Sequence, residues 1–305
     1  MNGQAGKERM GTRRLFRSGT TVGALGALGA LFAAYSYVDP FYLPSAPVQV
    51  LPEPTHSSLR VMTLNLAHGR STSFHQALTR DRHIRTNLDA IGQLIRDSKV
   101  DVVTLQELDA ASLWSGNFDH LAYLGQASGL EYSFHGLHVD RSIPKLAYGT
   151  GVLSRFPIIG GESETFSINM LDTKGFALVT LESPLGALDI VSVHLDFKRD
   201  SERSAQLELL SEAILRRQGP RSLVVAGDFN TSLQHPSSPL HAFVERHALQ
   251  PGALDFPGTF PSHAPTRHID YLFTGNGCSA DSRWVLADRV SDHRAVIVDI
   301  RVDRQ

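Results

Sequence analysis

Carboxylates, side-chain amides and imidazoles recur in this chain at the points where apolar runs stop: Asn65, Glu107, His194, Asp228, Asn230, Asp270, Asp292 and His293. Carboxylates hold hard cations and move protons, imidazoles exchange protons near neutral pH, and side-chain amides donate to anionic oxygens. Taken singly, each has an ordinary explanation. Asp228 and Asn230 form turns, Ser291 and Asp292 cap an element, and Asp270 is a satisfied core carboxylate. Turns call for neither His nor Glu, so the set as a whole argues for groups gathered at one rim of a sheet.

The elements that would position them alternate along the chain. Arg60 to Leu66 reads as a strand, and Ile84, Leu88, Ile91 and Ile95 mark one face of a helix. Further apolar strands run from Val100 to Leu105, Leu188 to Val193, Leu223 to Ala226, Ile269 to Phe273 and Ala295 to Ile300. Leu207, Leu210 and Ile214 give a second amphipathic helix between two of them. With no internal repeat and no second linker, residues 58–305 read as one α/β domain.

The first residues differ in kind. Arg13 and Arg14 precede an acid-free run, Thr20 to Val38, rich in Ala, Gly and Leu, and the string Thr12-Arg13-Arg14-Leu15-Phe16-Arg17 resembles a twin-arginine export signal. Residues 1–38 are therefore expected to be a signal or a membrane anchor. Cleavage at the small residues around Ala34-Tyr35-Ser36 would release the folded domain, whereas retention would tether it to the plasma membrane through residues 20–38. Either outcome places the domain outside the cytoplasm, in the periplasm or the extracellular space. Pro40, Pro44, Pro47, Pro52 and Pro54 make residues 39–57 an extended linker. A net charge of −2 gives no global pull toward nucleic acid or anionic lipid, so attraction for a phosphate must be local or carried by a cation. The lone Cys278 excludes an intrachain disulfide and a cysteine-rich zinc site.

The strings Thr63-Leu64-Asn65, Gln106-Glu107, Ser192-Val193-His194, Gly227-Asp228-Phe229-Asn230, Ile269-Asp270-Tyr271 and Ser291-Asp292-His293 follow one another in a fixed order, supported by Tyr148-Gly149-Thr150-Gly151-Val152-Leu153-Ser154-Arg155-Phe156-Pro157. In that order the domain resembles the endonuclease/exonuclease/phosphatase superfamily. The resemblance implies a four-layer sandwich, two mainly antiparallel β-sheets flanked by helices, with a site at one edge. It also implies a phosphoester hydrolase. A phosphodiester is anionic and repels hydroxide, so positive charge must reach its non-bridging and leaving oxygens. Under the resemblance Glu107 is the principal ligand of Mg²⁺, a cation that prefers oxygen donors, with Asn65 and Asp292 completing its shell directly or through water. Mn²⁺ and Ca²⁺ share that preference. Asp228 orients or deprotonates the attacking water, Asn230 and His194 donate to the growing charge, and His293 pairs with Asp270 as base or cationic clamp.

The family spans nucleases, sphingomyelinases, inositol phosphatases and relatives of glycosylphosphatidylinositol remodelers, so the substrate is not named by the motifs. Membrane proximity favours a lipid or small phosphoester cleaved by a phosphodiesterase, with no obligate protein partner. A secreted nuclease acting on DNA or RNA would need a basic groove with stacking aromatics, and an inactive binding module would have lost catalytic groups that are present here. The insert Ala111 to His120 carries Leu113, Trp114 and Phe118, which either plug the domain's own core or dip into a lipid interface. Lys198, Arg199 and Arg203 either contact a phosphate or form a solvated helix start.

Overall fold

The computed structural model describes residues 49–302, apart from 56, 74–80, 169–172, 218, 220 and 253–255. These residues belong to one compact unit, Pro44–Gln305. The expected signal or anchor, residues 1–38, lies outside the described residues, as does the start of the linker.

Strands β1 (Leu59–Asn65), β2 (Val102–Asp109), β3 (Tyr132–Ser142) and β4 (Lys145–Ser154) belong to the first sheet. Strands β5 (Ile158–Thr165), β6 (Gly175–Ser183), β7 (Gly186–His194), β8 (Ser222–Asp228) and β9 (Asp270–Gly275) make the second. The chain then returns to the first sheet with β10 (Cys278–Val285) and β11 (Val296–Val302). The strand orders are β10-β11-β1-β2-β4-β3 and β5-β6-β7-β8-β9. Each sheet is antiparallel except for one parallel pair, β1 with β2 and β7 with β8. Among the described residues the helices are α1 (Asp81–Asp97), α2 (His120–Ser128), α3 (Asp200–Arg216) and α4 (Leu240–Arg246). This is the four-layer sandwich.

Period-two alternation explains how the layers form. Met62 and Leu64 of β1 join Ile84, Leu88 and Ile91 of α1 in one outer core. Val191 and Val193 of β7 join Leu207 and Leu210 of α3 in the other. The opposite faces, with Leu59, Val61, Ile190, Val224 and Leu272, meet between the sheets. Along each inner face the residues change from apolar at one end to polar at the other. Thr63 and Asn65 follow Val61, Gln106 follows Val102, and Asp228 follows Ala226, all still buried. The sheets are therefore sealed at one end and polar at the other. Gln106 ties them at the polar end: its Nε2 donates to Ser192 Oγ at 3.1 Å, which donates to Leu105 O at 3.0 Å.

The sealed end carries a buried charge pair. Arg60 clasps Asp299 bidentately at 2.7 and 2.8 Å, and its remaining donors reach Ser98 O and Pro52 O. Its guanidinium also lies 5.2 Å from the Trp284 ring centre. Such pairing satisfies a charge that burial would otherwise penalise heavily.

Candidate active site

Sheet register lines up half of the site. His194 pairs with Asp228 across β7 and β8, and Asp228 pairs with Asp270 across β8 and β9. Gly175 pairs with His194, which puts Lys174 at the same rim. In the first sheet Asn65 pairs with Gln106, and the Ser291-Asp292-His293 turn leads into β11 beside β1. Ser291 Oγ donates to Asn65 O at 2.6 Å and anchors that turn to the end of β1. Asn65, Glu107 and His293 thus come from one sheet, and His194, Asp228 and Asp270 from the other.

A local device aims Glu107. The β2–β4 register shifts between Leu105 and Leu108, both of which pack in the outer core, although alternation across three residues should put them on opposite faces. Glu107 is the extra residue of this bulge, held at φ +47. Bulges commonly re-aim a side chain at a functional rim, and the positive φ is a cost borne locally.

Asp228 sits at the centre. Its Oδ2 accepts from Asn65 Nδ2 at 3.0 Å and its Oδ1 from the Asn230 backbone N–H at 2.9 Å. His194 Nε2 and His293 Nε2 lie 3.4 and 3.8 Å from Oδ2. Burial pushes the Asp228 carboxyl up to about 7, against the pull of His293 and with a further push from Asp270. His293 Nδ1 donates to Asp270 at 2.9 and 3.1 Å, and the Phe260 ring packs beside the imidazole at 4.7 Å between centres. Burial opposes charge on His293, but Asp270 and Asp228 outweigh it and raise the imidazole to about 10. His194 behaves in the opposite way. Burial, reinforced by Lys174, holds it well below the usual histidine range, so it is neutral at pH 7.

Three groups in the site carried no signal in the sequence. Lys174 Nζ lies 2.8 Å from His194 Nε2 and 4.0 Å from Glu107 Oε1, so the cation on this flank is a lysine beside a neutral histidine. His68, at φ +55 in the short turn after β1, contacts Asp109 Oδ2 through Nδ1 at 2.7 Å and Glu107 Oε2 through Nε2 at 3.6 Å. Burial opposes its charge, yet the Asp109 hydrogen bond and the Glu107 charge win and raise it. Asp109 completes this second carboxylate–imidazole dyad. Trp114 Nε1 also donates to Asp109, at 2.9 Å, and the His68, Trp114 and Tyr148 rings pack within 5.4 Å of one another.

The remaining residues proposed from sequence fall as follows. Asn65 is spent on two protein contacts, since its Oδ1 also accepts from the Ala67 N–H at 2.9 Å. Asp292 Oδ2 accepts from Arg70 Nη2 at 2.7 Å. Asn230, at φ +52, donates through Nδ2 to Leu195 O at 3.0 Å, which turns the loop after β8. Arg203 is buried, donating to Asp196 O and pairing with Asp200, while Arg199 pairs with Glu202, so both close the start of α3. In the insert, Phe118 packs against the first-sheet core under Arg85 and Trp114 against His68, whereas Leu113 projects into solvent.

Among the described residues, two groups are candidates for a cation. Asp228, Asp270 and His293 offer ligand atoms within 4.8 Å of one another. With His293 protonated, however, neither ring nitrogen has a lone pair to offer, and the group is knit by hydrogen bonds. Glu107 fits better. Its carboxylate is held far below the usual range because His68 and Lys174 outweigh burial, and those two groups stand at 3.6 and 4.0 Å, beyond hydrogen-bond reach. An ionised, partly exposed oxygen donor of this kind suits a hard divalent cation.

The family model described as "Endonuclease/Exonuclease/phosphatase family" matches residues 62–293, and the chain belongs to that family. Its members are hydrolases of phosphoester bonds and typically depend on a divalent metal. The chain is 26% identical over 264 residues to the uncharacterized protein YbhP of Escherichia coli K12, covering 83% of this chain and all of that one. Among solved structures it is similar to an endonuclease/exonuclease/phosphatase from Beutenbergia cavernae, with a TM-score of 0.66 and 23% identity over 81% of this chain and 72% of that one. It is also similar to the Bacteroides thetaiotaomicron mannosyl-6-phosphatase Bt3783, with a TM-score of 0.62 and 19% identity over 80% and 99% of the two chains.

Proposed function

We propose that this chain is an exported, divalent-cation-dependent phosphodiesterase. The observation that carries the reading is Asp228, a buried carboxyl balanced near neutrality between His194 and His293 and oriented by Asn65 and Asn230. A base poised near the working pH can take a proton from water without being permanently protonated. Asp228 orients and deprotonates the attacking water, while the His293 imidazolium, locked by Asp270, neutralises an oxygen on phosphorus. Lys174 supplies charge on the opposite flank and donates to His194 Nε2, which leaves the Nδ1–H of neutral His194 as its one donor toward a non-bridging oxygen.

Glu107 would be the principal cation ligand, with Mg²⁺ first and Mn²⁺ or Ca²⁺ as substitutes. Asp292 and Asn65 are engaged with Arg70 and the Ala67 N–H, so any part they take is through water. When bound, the cation supplies positive charge to the leaving and non-bridging oxygens. Export rests on the Thr12 to Arg17 string and the run that follows it.

The test incubates the full chain with Mg²⁺ and bis(p-nitrophenyl) phosphate, p-nitrophenyl phosphate or plasmid DNA, with chelator controls. Diester cleavage that EDTA abolishes is expected. Asp228→Asn should lower it by on the order of 10²–10⁴, and Glu107→Gln should raise the Mg²⁺ needed for half activity. Preference for the monoester would overturn the phosphodiesterase reading, and rapid DNA cleavage would turn it to a nuclease.

A further inference from the structure

The site opens at the rim formed by the C-terminal ends of β1, β2, β3, β5, β7 and β8, and three loops of this rim carry a large apolar side chain at their tips. Leu113, in the insert after β2, is 67% exposed, Ile143, at the turn between β3 and β4, is 92% exposed, and Phe197, just after β7, is 61% exposed. Each lies close in sequence to a group of the site. Leu113 precedes Trp114, which holds Asp109, and Phe197 follows His194 by three residues. Ile143 stands five residues beyond Tyr148, so its hairpin rises roughly 16 Å above the Tyr148–His68 contact at strand spacing. Every residue from Asp140 to Lys145 on that finger is exposed.

These tips differ from ordinary scattered apolar residues in two ways. First, they sit on projecting turns. Toward the other end of the molecule, the exposed Tyr132, Ile159 and Leu215 lie along the sides of β3, β5 and α3, and Val50 lies in the irregular segment before β1. Second, cations flank two of the three tips, those of Ile143 and Phe197. Ile143 stands between Arg141 and Lys145, and Phe197 is followed by Lys198, whose ammonium lies 5.2 Å from the Phe197 ring centre. Apolar side chains with neighbouring cations match the interface of a bilayer, where acyl chains lie beneath phosphate headgroups. Single apolar tips on three separate loops suit a fluid surface, whereas a folded protein partner calls for a contiguous apolar core.

We infer that this rim docks on a phospholipid surface, with Ile143, Phe197 and Leu113 entering the interface so that the site faces phosphodiesters held in the membrane. The inference rests on the proposed phosphodiesterase activity for its consequence but not for its geometry. Docking spares the site from pulling a lipid into water, so only membrane-held substrate gains from the tips.

Two measurements on the full chain separate this from the catalytic reading. Ile143→Trp and, as a control at the other end, Leu215→Trp are titrated with vesicles of phosphatidylcholine and phosphatidylglycerol, the emission of the parent chain being subtracted. The Ile143→Trp signal should move to shorter wavelength and be quenched by brominated acyl chains, and the Leu215→Trp signal should do neither. An Ile143→Trp emission unchanged by vesicles, or equal responses at the two positions, overturns the docking. In the second measurement Ile143→Ser/Phe197→Ser should keep the rate on bis(p-nitrophenyl) phosphate and lose at least about ten-fold on a phosphodiester embedded in vesicles. Equal loss on both substrates, or no loss on either, overturns it. A parent chain inert toward the soluble diester would overturn the catalytic reading instead, with the fluorescence result still deciding the docking.

Discussion

Asp228 and His293 face each other across 3.8 Å, and both hold a proton more tightly than they would in water. The carboxyl rises from 3.8 to about 7 because it is buried. The imidazole rises from 6.5 to about 10 because Asp270 and Asp228 outweigh its burial. For both groups the native state binds more protons than the unfolded state between the two values, so stability falls as pH rises through each window. The Asp228 contribution is present below 3.8 and lost toward 7, and the His293 contribution is present below 6.5 and lost as pH passes through 10. With chelator present, urea unfolding between about pH 8 and about pH 9.5 should show falling stability, and His293→Gln should flatten that fall. Identical slopes in parent and variant would remove the raised imidazole from the account.

Lys174 is the second charge to test. Its ammonium, 2.8 Å from His194, adds to burial in keeping that histidine neutral. Lys174→Met should move the His194 titration upward, followed by the ring proton resonance in an NMR pH series. It should also lower kcat/KM on a diester by on the order of 10²–10³, the usual loss of one donor to a developing oxyanion. An unmoved His194 midpoint would show that burial alone sets it.

Gly227 precedes Asp228, and a Cβ there would stand 2.0 Å from the Val193 carbonyl oxygen and 2.9 Å from Val193 N. These are backbone atoms of the paired strand β7 and cannot swing aside. Gly227→Ala should therefore cost about 3 kcal/mol, the upper end for overpacking, and should also displace Asp228. Urea midpoints compared with the parent would measure the cost. A variant of parental stability and activity would mean that β7 and β8 can part without consequence.

Far from the site, Asp299→Ala leaves the Arg60 guanidinium buried without its bidentate partner. Breaking such a pair costs about 3–5 kcal/mol, whereas the rate per folded molecule should not change, because Arg60 and Asn65 mark opposite ends of β1. Denaturation and active-site-normalised turnover read the two effects separately. A matched loss of turnover would place Asp299 in a path to the site.

The chain read most plainly where physics repeats itself. Leu188 to Val193 and Leu223 to Ala226 are central strands whose apolar runs announce them, and β7 and β8 extend each by one or two residues at either end. The face Ile84-Leu88-Ile91-Ile95 likewise marked α1. The edge strand β5, Ile-Ile-Gly-Gly-Glu-Ser-Glu-Thr, is half exposed and carries no such run, and β10 is similarly polar. In the site, His194, Asp228, Asp270 and His293 were legible because each closes or opens an apolar strand. His68 and Lys174 were not, because their places depend on a left-handed turn and on the pairing of Gly175 with His194. The Val100 to Leu105 strand was read short for a related reason. The bulge at Glu107 breaks the alternation that marks a strand, so its last residues look like loop.

The placement of β11 sets when a newly made molecule becomes competent. That strand inserts between β10 and β1, joining the last stretch of the chain to the first strand of the fold, and the Asp292–His293 turn enters the site only with it. A nascent chain that has not yet reached the Ser291-Asp292-His293 turn lacks the imidazole that completes the constellation.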